Sequence, residues 1–183
     1  MVFVKWFLCI LPSLAMEILG RLLAPILPFF VKSNGYLPRY LWWFQTPDNP
    51  CDGDAGHWAR HPGTDPWSTY TRRVAWFWRN VAYGFNINVI GFKWKTGDIK
   101  ETIGDPTVGD RSGVSGVCRW RVYRGSETVA FQWYYVKHYR IFGHWKCVRA
   151  GIGYKIWGNP SGKVHGQHWL YFNPIKGSGR ETP

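Results

Sequence analysis

The chain has 183 residues and a formal charge of +12, with 45% hydrophobic, 19% aromatic and 19% charged residues. That length accommodates one core, and the composition excludes a disordered chain, a collagen and a coiled coil. Residues 1–66 hold five Lys or Arg against five Asp or Glu, while residues 67–183 hold 18 against six. The surplus is therefore C-terminal and points to an anionic partner, a lipid surface or nucleic acid phosphates.

Residues 1–31, MVFVKWFLCILPSLAMEILGRLLAPILPFFV, are the most apolar stretch, interrupted by Lys5, Glu17 and Arg21. Ser13, Glu17 and Arg21 recur every four residues, which puts them on one polar stripe of an otherwise apolar helix; Pro25 and Pro28 close it near Ala24. No unbroken apolar run reaches about 18 residues, so a helix lying in a membrane interface, or entering it with the stripe against a partner, is expected ahead of a plain span. Burial against protein is the other reading. Ser13-Leu14-Ala15 after the run from Trp6 also fits a cleavable signal, but apolar sequence resumes at once, and a retained anchor is expected. Trp6, Phe7, Leu22, Leu23, Phe29 and Phe30 are its expected membrane contacts.

Residues 32–71 read as a linker in which aromatic clusters alternate with Pro, Gly and Asp turn signals. Trp42 and Trp43, near Lys32 and Arg39, suit headgroup depth and equally suit a cap beneath a soluble core.

From Arg72 onward the pattern predicts strands over 72–79, 83–95, 117–124, 127–141, 144–157 and 164–172, with a Gly-rich loop over about 97–116 and a flexible tail at 174–183. Gly125-Ser126 predicts a two-residue hairpin that opposes Val122 to Val129, Trp120 to Phe131 and Cys118 to Trp133 on an apolar face. Arg119 and Arg121 then share the other face with Gln132 and Ala130. Trp120, Trp133, Trp145, Trp157 and Trp169 recur at intervals of 13, 12, 12 and 12, the rhythm of an up-and-down sheet. The expected fold is α+β, mainly β: an apolar N-terminal helix and an antiparallel β meander over 72–173 that folds without the helix.

Three constellations carry the chemistry that the sequence offers. Asp48, Asp52 and Asp54, followed by His57, form an acidic loop able to hold a hard cation with an imidazole base beside it, a metal-dependent hydrolase in outline. Each Asp also neighbours Pro, Gly or Asn, so turn chemistry is expected, with no cofactor. His144 and Cys147 with His165 and His168 have zinc-like spacing, but residues three apart on a strand point to opposite faces. Arg119, Arg121, Tyr134, Lys137 and Arg140 interleave cations and rings, as surfaces for an anionic partner do, nucleic acid included. No P-loop, GxSxG, RNP or helix-turn-helix signature is present.

The strings YLPRYLWWFQTPDNPCDGDAGHW, WRNVAYGFNINVIGF, DPTVGDRSG, WYYVKHYR and YFNPIKG resemble an uncharacterised family of small tailed-bacteriophage (Caudoviricetes) proteins, over about residues 37–177. The resemblance implies a phage origin and brings no activity or catalytic residue. Together these features lead to the expectation of a non-enzymatic accessory protein held at the cytoplasmic face of a host inner membrane, with the basic domain meeting a membrane surface or a phage or host protein. A virion component with the helix buried against a tail or capsid partner is the alternative.

Overall fold

The computed structural model describes residues 1–158 and 164–181. Two layers make up the fold. One is a six-stranded antiparallel sheet of β1 (Phe92–Lys93), β2 (Ile99–Gly104), β3 (Gly116–Arg124), β4 (Glu127–Ile141), β5 (His144–Gly158) and β6 (Val164–Gly177), in the order β1-β6-β5-β4-β3-β2. From β2 to β6 each strand pairs with the next in sequence, so the predicted meander is present. The other layer is helical: α1 (Val2–Leu8), α2 (Ile10–Leu23), α3 (Ala55–Arg60), α4 (Pro66–Arg79) and α5 (Tyr83–Asn88). Among the described residues helix, 3-10 turns included, and strand take equal shares, so the fold is α+β.

Two segments expected as strands are helices. Residues 72–79 belong to α4, which Asp65 caps by accepting from the Trp67 and Ser68 amides at 3.0 Å, with Pro66 in the first turn. Those end signals, Asp then Pro, outweigh the strand preference of Val, Trp and Phe that follow. Residues 83–88 form α5, whose Gly84 lies so close to the Trp42 carbonyl that no side chain fits there. Conversely, β2 occupies part of the expected loop, and the tail is structured as far as Glu181, with β6 running to Gly177.

Residues 32–71 are not a linker. Leu37, Phe44 and Cys51 are buried in a cluster with Ala24, Leu27 and Phe77, which makes this segment part of the helical layer. A second cluster joins α1 to the sheet through Trp6, Phe92, Phe131 and Tyr154, and a third lies on the opposite sheet face around Cys118, Tyr134, Val136, Cys147 and Trp169.

The β3–β4 hairpin follows the expected register only beside its turn, where Tyr123 faces Thr128 and Arg124 faces Glu127. An irregularity between Val122 and Tyr123 then shifts the ladder by one, so Val122 faces Ala130, Trp120 faces Gln132 and Cys118 faces Tyr134. A one-residue slip exchanges the faces. Tyr134, expected outward, is 9% exposed, and Arg119 and Arg121 instead sit opposite Trp133 and Phe131. The tryptophan rhythm marks strand length rather than a shared face, since Trp133 and Trp169 lie on opposite sides of the sheet.

Candidate functional site

The segment Val2–Leu23 is long and apolar enough to cross a membrane, with a mean hydropathy of 1.9. Its inner side is docked. Trp6 is buried against Phe131 and His168; its Nε1–H donates to the Gly153 carbonyl at 2.8 Å, and the Trp6 carbonyl accepts from His168 Nε2–H at 3.0 Å. Ser13 Oγ–H donates to Asn86 Oδ1 at 2.9 Å, Gly20 presses on Val81, and Ala24 and Leu27 enter the helical core. Glu17 pairs with Arg21 at 3.6 Å. The polar stripe thus turns toward the protein's own α5, and the side left outward is apolar.

Outward lie Phe3, Phe7, Leu11, Leu14, Ile18 and Leu22, at spacings of three and four residues, then Ile26 and Phe29; Leu11, Leu22 and Phe29 are 75%, 70% and 77% exposed. The 22-residue segment Val2–Leu23, at helical rise, makes this stripe about 33 Å long. Phe29 meets half-buried Tyr70 and Tyr70 stacks on exposed Trp67, both with ring centroids 5.5 Å apart, so rings from α4 widen the far end. At the near end Phe3, Val4 and Phe7 share a groove of about 580 Å³ with Trp133, Ile152, Arg119 and Arg121. Beyond it Leu170 and Phe172 are exposed on the same sheet face, so the apolar surface runs from helix onto sheet.

Of the membrane contacts expected from sequence, Phe7, Leu22, Phe29, Phe30 and Trp43 are exposed. Trp6 is not, because its indole N–H needs the Gly153 carbonyl. Leu23 and Trp42 are half-buried; Leu23 packs on the helical core. Of the expected cations, Arg119, Arg121, Lys137 and Arg140 are exposed; Arg119 lies 5.2 Å from the Trp133 ring centroid, and Arg140 donates from Nε to the Gly143 carbonyl at 2.9 Å.

The acidic block holds the helical layer together. Asp52 accepts from Arg73 Nε and Nη2 at 2.9 and 3.0 Å and from Arg72 Nη2 at 3.3 Å. Burial alone would raise its pKa; the two guanidiniums outweigh that and hold it below the usual carboxylate range. Asp54 caps α3 by accepting from the His57 amide at 2.7 Å, and Asp48 is exposed. His57 is 1% exposed, its Nε2–H donating to the Arg72 carbonyl at 2.9 Å, and burial lowers its pKa. These residues converge on no metal geometry among the described residues. Cys147 and His168 are on opposite sheet faces, as the β4–β5 and β5–β6 pairings require, and the side chain of His165 lies outside the described residues.

A model of a family of unknown function, DUF7338, matches residues 1–180. The chain belongs to the DUF7338 family. The match takes in the apolar helix together with the sheet, as the shared core around Trp6 requires. No curated protein matches the chain, and no solved structure does.

Proposed function

We propose that this DUF7338 protein is a non-enzymatic accessory protein that lies on a membrane, with the outward side of α1 and α2 in the bilayer interface and the cationic sheet above it. The observation that carries this reading is the orientation of the helix: its polar stripe is satisfied by Asn86 and the Glu17–Arg21 pair, and its free side is a continuous apolar surface. A water-exposed stripe of that length is unfavourable unless covered, at roughly 25 cal/mol per Å². Trp67 and Tyr70 flank it as interfacial rings do, and Lys5, Arg119 and Arg121 border it as headgroup-facing cations do. Because Trp6, Ser13 and Gly20 are engaged by the protein, the helix lies along the surface rather than crossing it alone. The sequence resemblance supports a phage origin, and basic excess in the C-terminal part supports the cytoplasmic face of the host inner membrane.

Flotation of the full chain with phosphatidylcholine vesicles, with and without phosphatidylglycerol, tests this reading. The wild type is expected to float, more completely on anionic vesicles. The Phe7→Ser/Leu11→Ser/Leu22→Ser variant is expected to stay at the bottom with an unchanged melting temperature. Wild-type protein that stays at the bottom on every vesicle and is recovered in purified particles would replace this reading with the virion component.

A further inference from the structure

The sheet face opposite Trp133 bears a cleft of about 580 Å³ that the membrane-facing surface does not use, bounded by α2, the end of α4 and strands β5 and β6. Six cations line it, Arg21, Arg79, Arg111, Arg149, Lys155 and Lys176, against two carboxylates, Glu17 and Asp110. A concave site of this volume with a surplus of four positive charges is unlike a solvated convex face, where cations spread apart and are screened.

The floor of the cleft is built to hold one of these cations. Arg149 sits between the rings of Tyr134 and Tyr171, its Cζ 5.4 and 4.9 Å from their centroids, and Trp169 stacks on Tyr171 at 5.8 Å. Asp110 accepts from Arg149 Nη1 at 3.3 Å and from the Tyr134 hydroxyl at 3.3 Å. Arg149 Nε, buried, has no hydrogen-bond partner among the described residues. Gly151 makes this stack possible: a Cβ there would overlap the Trp169 ring, so the strand between Arg149 and Lys155 is kept bare for it. Lys155, on the same face, has its pKa lowered by burial and then by Arg149, a shift that a bound anion would oppose. Arg79, Arg111 and Lys176 have no carboxylate partner among the described residues.

We infer that this cleft binds a multiply charged phosphate group, with Arg149 as the fixed floor and Arg79 and Lys176 closing over the anion from the rim. Guanidinium and ammonium groups converging on one volume match the several acceptor oxygens of a diphosphate or a phosphomonoester, which form charge-assisted bonds to them. Such a group can come from a soluble diphosphate or from the headgroup of a phosphomonoester lipid, and the chemistry of the site is the same for both; the cleft faces away from the apolar stripe, so the soluble source is the one expected.

The test uses the full chain in nonionic detergent, titrated with pyrophosphate in a calorimeter, with sodium chloride at matched ionic strength as the reference. Saturable one-to-one binding is expected, weakened by about ten-fold or more in Arg79→Gln/Lys176→Gln and changed by less than about two-fold in Arg119→Gln/Arg121→Gln on the other sheet face. Melting curves of both variants establish that they fold. A second arm compares wild type and Arg79→Gln/Lys176→Gln on phosphatidylcholine vesicles with and without phosphatidic acid. A variant effect confined to pyrophosphate assigns a soluble ligand, and one on phosphatidic acid vesicles assigns the headgroup. Pyrophosphate binding that the folded double variant retains, or that sodium chloride abolishes equally in both proteins, overturns the inference, as does absence of binding in both arms. The calorimetric arm needs no membrane, so its result is independent of the flotation outcome.

Discussion

Arg72 is 2% exposed, with its guanidinium 3.5 Å above the centre of the Trp58 ring, so the Asp52 carboxylate is what neutralises a cation already withdrawn from water. Removing one partner of such a pair leaves the other charge buried and uncompensated, which costs about 3–5 kcal/mol. Asp52→Asn is therefore expected to lower stability by about that amount in urea denaturation, and exposed Asp48→Asn by less than about 0.5 kcal/mol. Similar losses for the two would count against the scaffold role. His168 supplies a second local consequence. Its Nε2–H is committed to the Trp6 carbonyl, its buried Nδ1 has no partner among the described residues, and burial lowers its pKa from the ordinary 6.5. The unfolded chain takes up that proton first, so the contribution to stability is complete above the ordinary value and is lost as pH falls below it. The protection factors of α1 amides, with the pH dependence of intrinsic exchange divided out, are expected to fall as pH drops from about 7 to about 5, and His168→Gln is expected to flatten the response. His57, held low in the same way, contributes acid sensitivity in the helical layer that this variant leaves in place.

Helix α1 belongs to the core on one side and to the outside on the other, and adjacent positions separate the two roles. Trp6→Ala removes a buried indole and its hydrogen bond to the Gly153 carbonyl, while the backbone carbonyl that accepts from His168 remains, and is expected to cost about 3–5 kcal/mol. Phe7→Ser, at a 67% exposed position, should leave the melting temperature within a degree or two of wild type while weakening vesicle binding. Against the sequence expectation that residues 72–173 fold without the helix stands the helix's share of two buried clusters. Deleting residues 1–31 strips Trp6, Ala24 and Leu27 from two clusters and uncovers Phe131, Tyr154, Phe44 and Phe77, so the truncated chain is expected to be insoluble. A soluble truncation with native strand circular dichroism would show that the helix is dispensable after all. Helix α4 teaches a related lesson: Asp65-Pro66 was a legible start signal, but it stood in a segment whose Trp, Phe and Val content suggested strand, and the capping hydrogen bonds decided the matter.

Across the molecule, the apolar stripe and the cationic groups lie on joined surfaces, so membrane binding should have two separable components. Burial of Phe7, Leu11 and Leu22 is insensitive to salt, whereas attraction of Arg119 and Arg121 to anionic lipid is screened within a Debye length, about 8–10 Å at physiological salt. Wild-type affinity for phosphatidylglycerol vesicles is expected to fall as salt rises, and Arg119→Gln/Arg121→Gln should reduce that slope while binding to neutral vesicles stays the same. An unchanged slope would place the lipid-facing cations elsewhere, with Lys137 and Arg140 next in line.

Periodicity and turn chemistry were enough to read the meander, the Gly125-Ser126 turn and the apolar N-terminal helix with its Glu17–Arg21 pair, because each follows from residues within a few positions of one another. What lay beyond such reading was decided by long-range packing. The ladder shift at Val122 sends Tyr134 inward and Arg119 toward the helix, and no local signal announces it. Which side of α1 and α2 is free depends on Gly153, His168 and Asn86, residues 73 to 162 positions away from their partners in the helix. The cleft likewise gathers Arg21, Arg79, Arg111 and Arg149 from segments that share no motif, so their convergence exists only once the two layers are packed. Short-range preferences determine which elements form; the register and the pairing of faces determine what those elements can bind.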